Sequence, residues 1–140
     1  MKTSKILIVD DSLTARHVLK NYLTSPHLQI FESKNGKEAL QTLTQHADIC
    51  LIFTDINMPW MSGLELIEEL KADAQWQKIP VCITSTDSSP NLLKVAKQLG
   101  VNAYLVKPIK AEQIQTIMQN FLKRPIDLVP PRGTRPLAYR

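Results

Sequence analysis

The chain has 140 residues, 44% apolar and 21% charged, a balance that suits one globular unit with a sizeable core. Its formal charge of +4 is unevenly placed: residues 1–122 carry 12 Lys/Arg against 12 Asp/Glu, and the whole excess falls in residues 123–140. A neutral body argues against DNA binding by this domain. No apolar run approaches the ~20 residues that cross a bilayer, and the start lacks a signal peptide's apolar stretch, so the expectation is a cytoplasmic protein with no membrane insertion.

Taken in order, short apolar runs alternate with amphipathic stretches. Lys5–Val9 has the pattern of a buried strand, and a helix carrying Leu13, Val18, Leu19 and Tyr22 follows. Gln29–Glu32 is a weaker strand. Asn35-Gly36-Lys37-Glu38 has capping-box spacing and opens a helix with Ala39, Leu40 and Leu43. Ile49–Thr54 is the strongest strand, and Ser62-Gly63-Leu64-Glu65 is a second capping box before Leu66, Ile67 and Leu70. Pro80–Thr84 is a fourth strand. Ser89-Pro90 sets a cap before a first-turn proline, opening a helix over Leu92, Leu93, Val95, Ala96 and Leu99 that Gly100 ends. Ala103–Val106 is a fifth strand, and Ile114, Ile117, Met118, Phe121 and Leu122 stripe a final helix.

Five βα units with nearly continuous apolar strands imply a parallel sheet covered on both faces. Beyond Lys123 the pattern stops. Pro125, Pro130, Pro131 and Pro136 break any helix, so residues 1–122 are read as the domain and residues 123–140 as a basic, Pro-rich tail. Cys50 and Cys82 lie inside apolar runs without CxxC or His neighbours, and are read as small buried hydrophobes.

In an open parallel sheet, ligands bind beyond the carboxyl ends of the strands. The first strand delivers Asp10 and Asp11 to that edge, the third Asp55, the fourth Ser85 and the fifth Lys107; the second delivers nothing comparable. Crowded carboxylates repel one another unless a cation neutralises them, and Mg²⁺ suits carboxylates combined with waters and a phosphate. Lys107 supplies a point charge for a carboxylate or phosphoryl oxygen, and the Ser85 hydroxyl can donate to another. With that charge absorbed, Asp55 is a competent nucleophile toward phosphorus, with an aspartyl phosphate as product. Each residue alone has a plainer reading as a cap or turn; the agreement of four strand ends on one reaction carries the assignment.

These residues resemble the receiver domain of two-component response regulators over about residues 4–122. Ile6-Leu7-Ile8-Val9-Asp10-Asp11-Ser12 matches that family's acidic pair, and the segment from Thr54 to Gly63 its phosphoacceptor loop. Asn35–Leu40 fits its second-helix start, and Tyr104–Pro108 its fifth strand. The resemblance implies a CheY-like (flavodoxin-like) doubly wound sheet of five parallel strands in the order 2-1-3-4-5, with five helices. It implies phosphorylation of Asp55, with Asp11, Asp55 and the backbone carbonyl of Asn57 on Mg²⁺ and Asp10 assisting. It gives Ser85 the phosphoryl-binding hydroxyl position, with Thr84 and Thr86 set aside by spacing. Tyr104 falls at an aromatic switch position expected to rotate inward, and the Lys107–Pro108 bond is expected to be cis. Asn57 and Asp87 flank the site where the family tunes water access. Trp60 and Met61 depart toward large apolar residues, as a partner contact or as packing against the neighbouring loop.

The implied activity is signalling rather than turnover of an external substrate. The partners are a sensor histidine kinase or phosphotransfer protein bearing phosphohistidine, expected over the first helix near Ala15, Arg16 and Leu19, and a downstream target protein. Lys94, Lys97, Gln98, Lys110 and Gln113 are candidate contacts on the output face. Three rivals are weaker. A pseudo-receiver conflicts with the intact acidic set, and an aspartyl-nucleophile phosphatase needs an acid where Asn57 stands. A flavin carrier needs a hydroxyl- and Gly-rich loop in place of Asp10-Asp11-Ser12.

Overall fold

Five strands alternate with five helices along residues 3–122, the part of the chain that this computed structural model describes. In order they are β1 (Ser4–Val9), α1 (Leu13–Tyr22), β2 (Leu28–Ser33), α2 (Gly36–Gln45), β3 (Ile49–Thr54), α3 (Gly63–Ala72), β4 (Val81–Ser85), α4 (Pro90–Gln98), β5 (Ala103–Val106) and α5 (Ala111–Leu122). The expected tail, residues 123–140, lies outside the described residues.

The strands pair in parallel in the order β2-β1-β3-β4-β5, as expected. Alternate residues along each strand feed two cores, the period-2 rule applied to a sheet buried on both faces. Leu7, Val9, Ile52 and Ile83 pack with Ala39 and Leu43 of α2, Leu66, Ile67 and Leu70 of α3, and Ala96 of α4. Ile6, Ile8, Phe53, Cys82 and Leu105 pack on the other face with Leu19 of α1 and Ile114, Ile117 and Met118 of α5. Burial pushes the Cys82 thiol up to about 12, which keeps it an inert core residue, and the Cys50 thiol donates to the Lys5 carbonyl.

Local chemistry sets the helix starts. Ser62 and Glu65 form a complete capping box. Asn35 accepts from the Glu38 N–H, but Glu38 turns its carboxylate to Lys34 N–H, so only half of the expected box forms. Ser89 accepts from Leu92 N–H, with Pro90 in the first turn of α4. The apolar stripe of α1 differs from expectation. Leu13 and Val18 are exposed, and the inward positions go to Leu19 and to Arg16. Among the described residues no helix is long and apolar enough to cross a membrane.

Candidate functional site

The reversal of strand order around β1 and β3 opens a crevice at their carboxyl ends, where neighbouring crossover helices fall on opposite faces. Parallel pairing in register (Val9 beside Thr54) brings the residues that follow each strand together. Carboxylate oxygens of Asp10, Asp11 and Asp55 consequently lie within 4.8 Å of one another. They differ in exposure: Asp10 is buried, Asp55 half-buried and Asp11 exposed. β5 adds Lys107, whose Nζ donates to Asp10 Oδ2 at 2.8 Å and to Asp55 Oδ2 at 3.4 Å. The Lys107–Pro108 bond is cis, as expected.

Burial raises the Asp55 pKa above its ordinary value, and the Asp10 charge adds to the rise; the Ile56 N–H, donating at 2.7 Å, and Lys107 oppose it. Lys107 feels burial most strongly as a force lowering its pKa. Its bond and charge pairing with Asp10, reinforced by Asp55, outweigh that effect and hold it raised and protonated. Three carboxylates against one ammonium leave two uncompensated negative charges, and the donors are hard oxygens. That set fits a divalent cation of the Mg²⁺ or Mn²⁺ kind.

The α3 N-terminus closes the site from behind. Gly63 N–H donates to the Ile56 carbonyl at 2.8 Å, and a Cβ on Gly63 would stand 2.0 Å from the Asp55 carbonyl oxygen, so only glycine fits. The two large apolar residues of this loop divide their roles. Met61 packs on Gly36 and the core, whereas Trp60 stands 82% exposed. Trp60 also has φ 66°, an unfavourable backbone state for a bulky side chain. Asn57 is exposed, two residues beyond Asp55.

Ser85 and Tyr104 meet on a third residue. Ser85 is fully buried at the end of β4, and its Oγ accepts from Asp87 N–H at 3.0 Å. The Tyr104 hydroxyl donates to the Asp87 carbonyl at 2.5 Å, with its ring against the core. Asp87 Oδ1 in turn accepts from Ser89 N–H, the N-cap of α4. Thr84 is buried and Thr86 exposed.

Of the three residues expected at the donor surface, Ala15 and Leu19 line a groove and Arg16 is buried. Arg16 is 6% exposed and drawn inward by hydrogen bonds, whereas Leu19, 4% exposed, belongs to the core and also lines the groove beside α1. That groove, of about 240 Å³, runs from Tyr22 and Val18 past Ala15 to Lys107, Pro108 and Ile109, with Leu19 at its floor. On the opposite flank Lys94, Lys97, Gln98 and Lys110 are exposed, but Gln113 spends its side-chain oxygen capping Lys110 N–H.

A doubly wound sheet with an acidic triad and a lysine at its switch point defines a receiver-type α/β domain. The family model for the response regulator receiver domain matches residues 6–119. The chain is 35% identical over 119 residues to a chemotaxis protein CheY homolog of Campylobacter jejuni, covering 84% of this chain and 92% of that one. Among solved structures, Vibrio cholerae CheY4 superposes with a TM-score of 0.77 at 28% identity, covering 85% and 98% of the two chains. The Mn²⁺-bound form of response regulator Rcp1 superposes at 0.73 and 25% identity, covering 89% and 99%. The chain belongs to the response regulator receiver family and is a CheY-type signalling domain of two-component systems.

Proposed function

We propose that Asp55 accepts a phosphoryl group from a phosphohistidine donor in a Mg²⁺-dependent reaction, and that phosphorylation switches a protein-binding face. The observation that carries this reading is the convergence of Asp10, Asp11 and Asp55 with Lys107 at the carboxyl edge of the sheet. In the transfer, an Asp55 carboxylate oxygen forms a bond to phosphorus as the P–N bond breaks. The donor imidazole leaves with that electron pair and takes up a proton from water. Asp11, Asp55 and the Asn57 carbonyl, with Asp10 assisting, would hold Mg²⁺, which when bound would supply positive charge against the transferring oxygens. Lys107, already paired with Asp55, offers its ammonium to a phosphoryl oxygen, and no general base is required because the nucleophile is ionised.

The donor is a sensor histidine kinase or a phosphotransfer protein, seated along the α1 groove, which ends at Lys107. Ser85 shifts toward the phosphoryl group to donate its O–H there, drawing away the Oγ that accepts from Asp87 N–H. Because Asp87 also holds Tyr104 and the α4 cap, that one exchange reaches the α4–β5–α5 face. Output is by contact with a downstream target protein in the cytoplasm, without turnover of an external substrate. The test is incubation with Mg²⁺ and acetyl phosphate followed by intact-mass spectrometry, beside Asp55→Asn and a Mg²⁺-free sample. A phosphoryl adduct that needs both supports the assignment. Its absence, with no binding of a beryllofluoride mimic, refutes it.

A further inference from the structure

Arg16 is a buried charge on a helix whose neighbouring positions face water, and the chemistry above does not use it. A guanidinium is almost never buried unless it is paired, so its partners indicate its role. Arg16 Nη1 donates to the backbone carbonyl of Asp10 at 2.7 Å in a buried contact, and Nε donates to Glu32 Oε1 at 3.1 Å. Glu32, on β2, is shared with the exposed Lys20, whose Nζ lies 3.1 Å from Oε2. A helical side chain leans toward the N-terminus of its helix, which is how a residue in the first turn of α1 reaches back to the end of β1.

The carbonyl it grips belongs to the peptide unit joining Asp10 to Asp11. Asp10 is held at every polar atom: its N–H donates to Ser33 O, Oδ1 accepts from Ser12 N–H, Oδ2 accepts from Lys107, and its carbonyl accepts from Arg16. The Asp11 side chain is exposed and has no hydrogen-bonding partner among the described residues. The peptide plane from which Asp11 springs therefore places its Cα, and with it the region its carboxylate can reach. The bond holding that plane from the interior comes from Arg16, and a planar fork with two fixed donors constrains it where a lysine ammonium would not.

We infer that Arg16 is a positioning residue for the acidic site: it fixes the Asp10–Asp11 peptide so that the Asp11 carboxylate meets a divalent cation, with Glu32 aiming the guanidinium. The inference rests on the proposed cation site and adds to it two residues outside the ligand set. The test is Mn²⁺ binding to the full chain, measured from the free-ion EPR signal, beside urea unfolding of the same samples. Arg16→Lys, which keeps the charge and loses the fork, is expected to weaken Mn²⁺ binding by ~10-fold, the scale on which groups supporting metal ligands act. Glu32→Gln is expected to weaken it less, in the same direction, while Lys20→Ala leaves it unchanged. Arg16→Lys that is folded and binds Mn²⁺ within about twofold of the parent overturns the inference. Should Arg16→Lys not fold, unchanged Mn²⁺ affinity in Glu32→Gln overturns it instead. No Mn²⁺ binding by the parent chain overturns both the cation site and this inference, whereas a parent that binds beside variants that bind equally well removes the inference alone.

Discussion

Replacing Gly63 with alanine tests how tightly the α3 N-terminus is seated on the loop that carries Asp55. An added Cβ would lie 2.0 Å from the Asp55 carbonyl oxygen and 2.9 Å from both the Asp55 carbonyl carbon and Ile56 Cα. A carbon–oxygen contact relaxes only at about 3.3 Å, so the two backbones must part by roughly 1.3 Å. No rotamer change relieves this, since all three atoms are main chain. Alanine returns at most ~1 kcal/mol of helix preference, whereas overpacking costs ~1–3 kcal/mol and this contact sits at the upper end, leaving a net loss of about 2 kcal/mol. The same movement displaces the Asp55 carboxylate, and a ~1 Å misplacement of reacting groups costs on the order of 100-fold in rate. Urea unfolding followed by far-UV circular dichroism gives the first quantity, and the rate of phosphorylation by acetyl phosphate the second. Gly36→Ala is the comparison, because there the new Cβ meets Met61, whose Sδ and Cγ can turn away, leaving only its Cβ at 2.9 Å to be relieved by a small backbone shift. A Gly63→Ala protein with the parent's unfolding midpoint and phosphorylation rate would refute the reasoning.

Three further outcomes follow from the same geometry. Trp60→Gly removes a bulky residue held at φ 66° with little buried surface to lose, and should raise the unfolding free energy by about 1 kcal/mol in urea titrations. The raised pKa of Asp55 means that its contribution to stability is present below the ordinary aspartate value of 3.8 and is lost as pH rises through the folded-state value. Asp55→Asn should therefore gain in melting temperature over the cation-free parent at pH 7 and lose that advantage near pH 4; Mg²⁺ should raise the melting temperature of the parent more. Lys107 is raised as well, so the stability from its pairing is present below the ordinary lysine value of 10.5 and lost as pH climbs through its own. The stability difference between the parent and Lys107→Met, from denaturant unfolding across pH 9 to 12, should shrink toward the alkaline end.

The sequence by itself determined the architecture and the chemical cast. Buried strands must be apolar on both faces, so runs such as Ile49–Thr54 announce a covered parallel sheet, and right-handed crossovers leave few topologies. Strand ends are then ligand positions, which is why Asp10, Asp11, Asp55 and Lys107 were legible as one group before any coordinate, although 52 and 97 residues separate Lys107 from two of its partners. Capping residues were legible because they act on backbone groups three positions away, as Ser62 does on Glu65. Tertiary structure decided what depends on contacts between elements. Arg16 is polar in a period that reads as surface, and only the approach of β2 and the β1 end reveals it as an internal clamp. Trp60 and Met61 are alike in sequence, yet one meets Gly36 and the other faces water. The need for glycine at position 63 is likewise unwritten in the pattern, since it arises from how closely α3 approaches Asp55 rather than from a turn that demands positive φ.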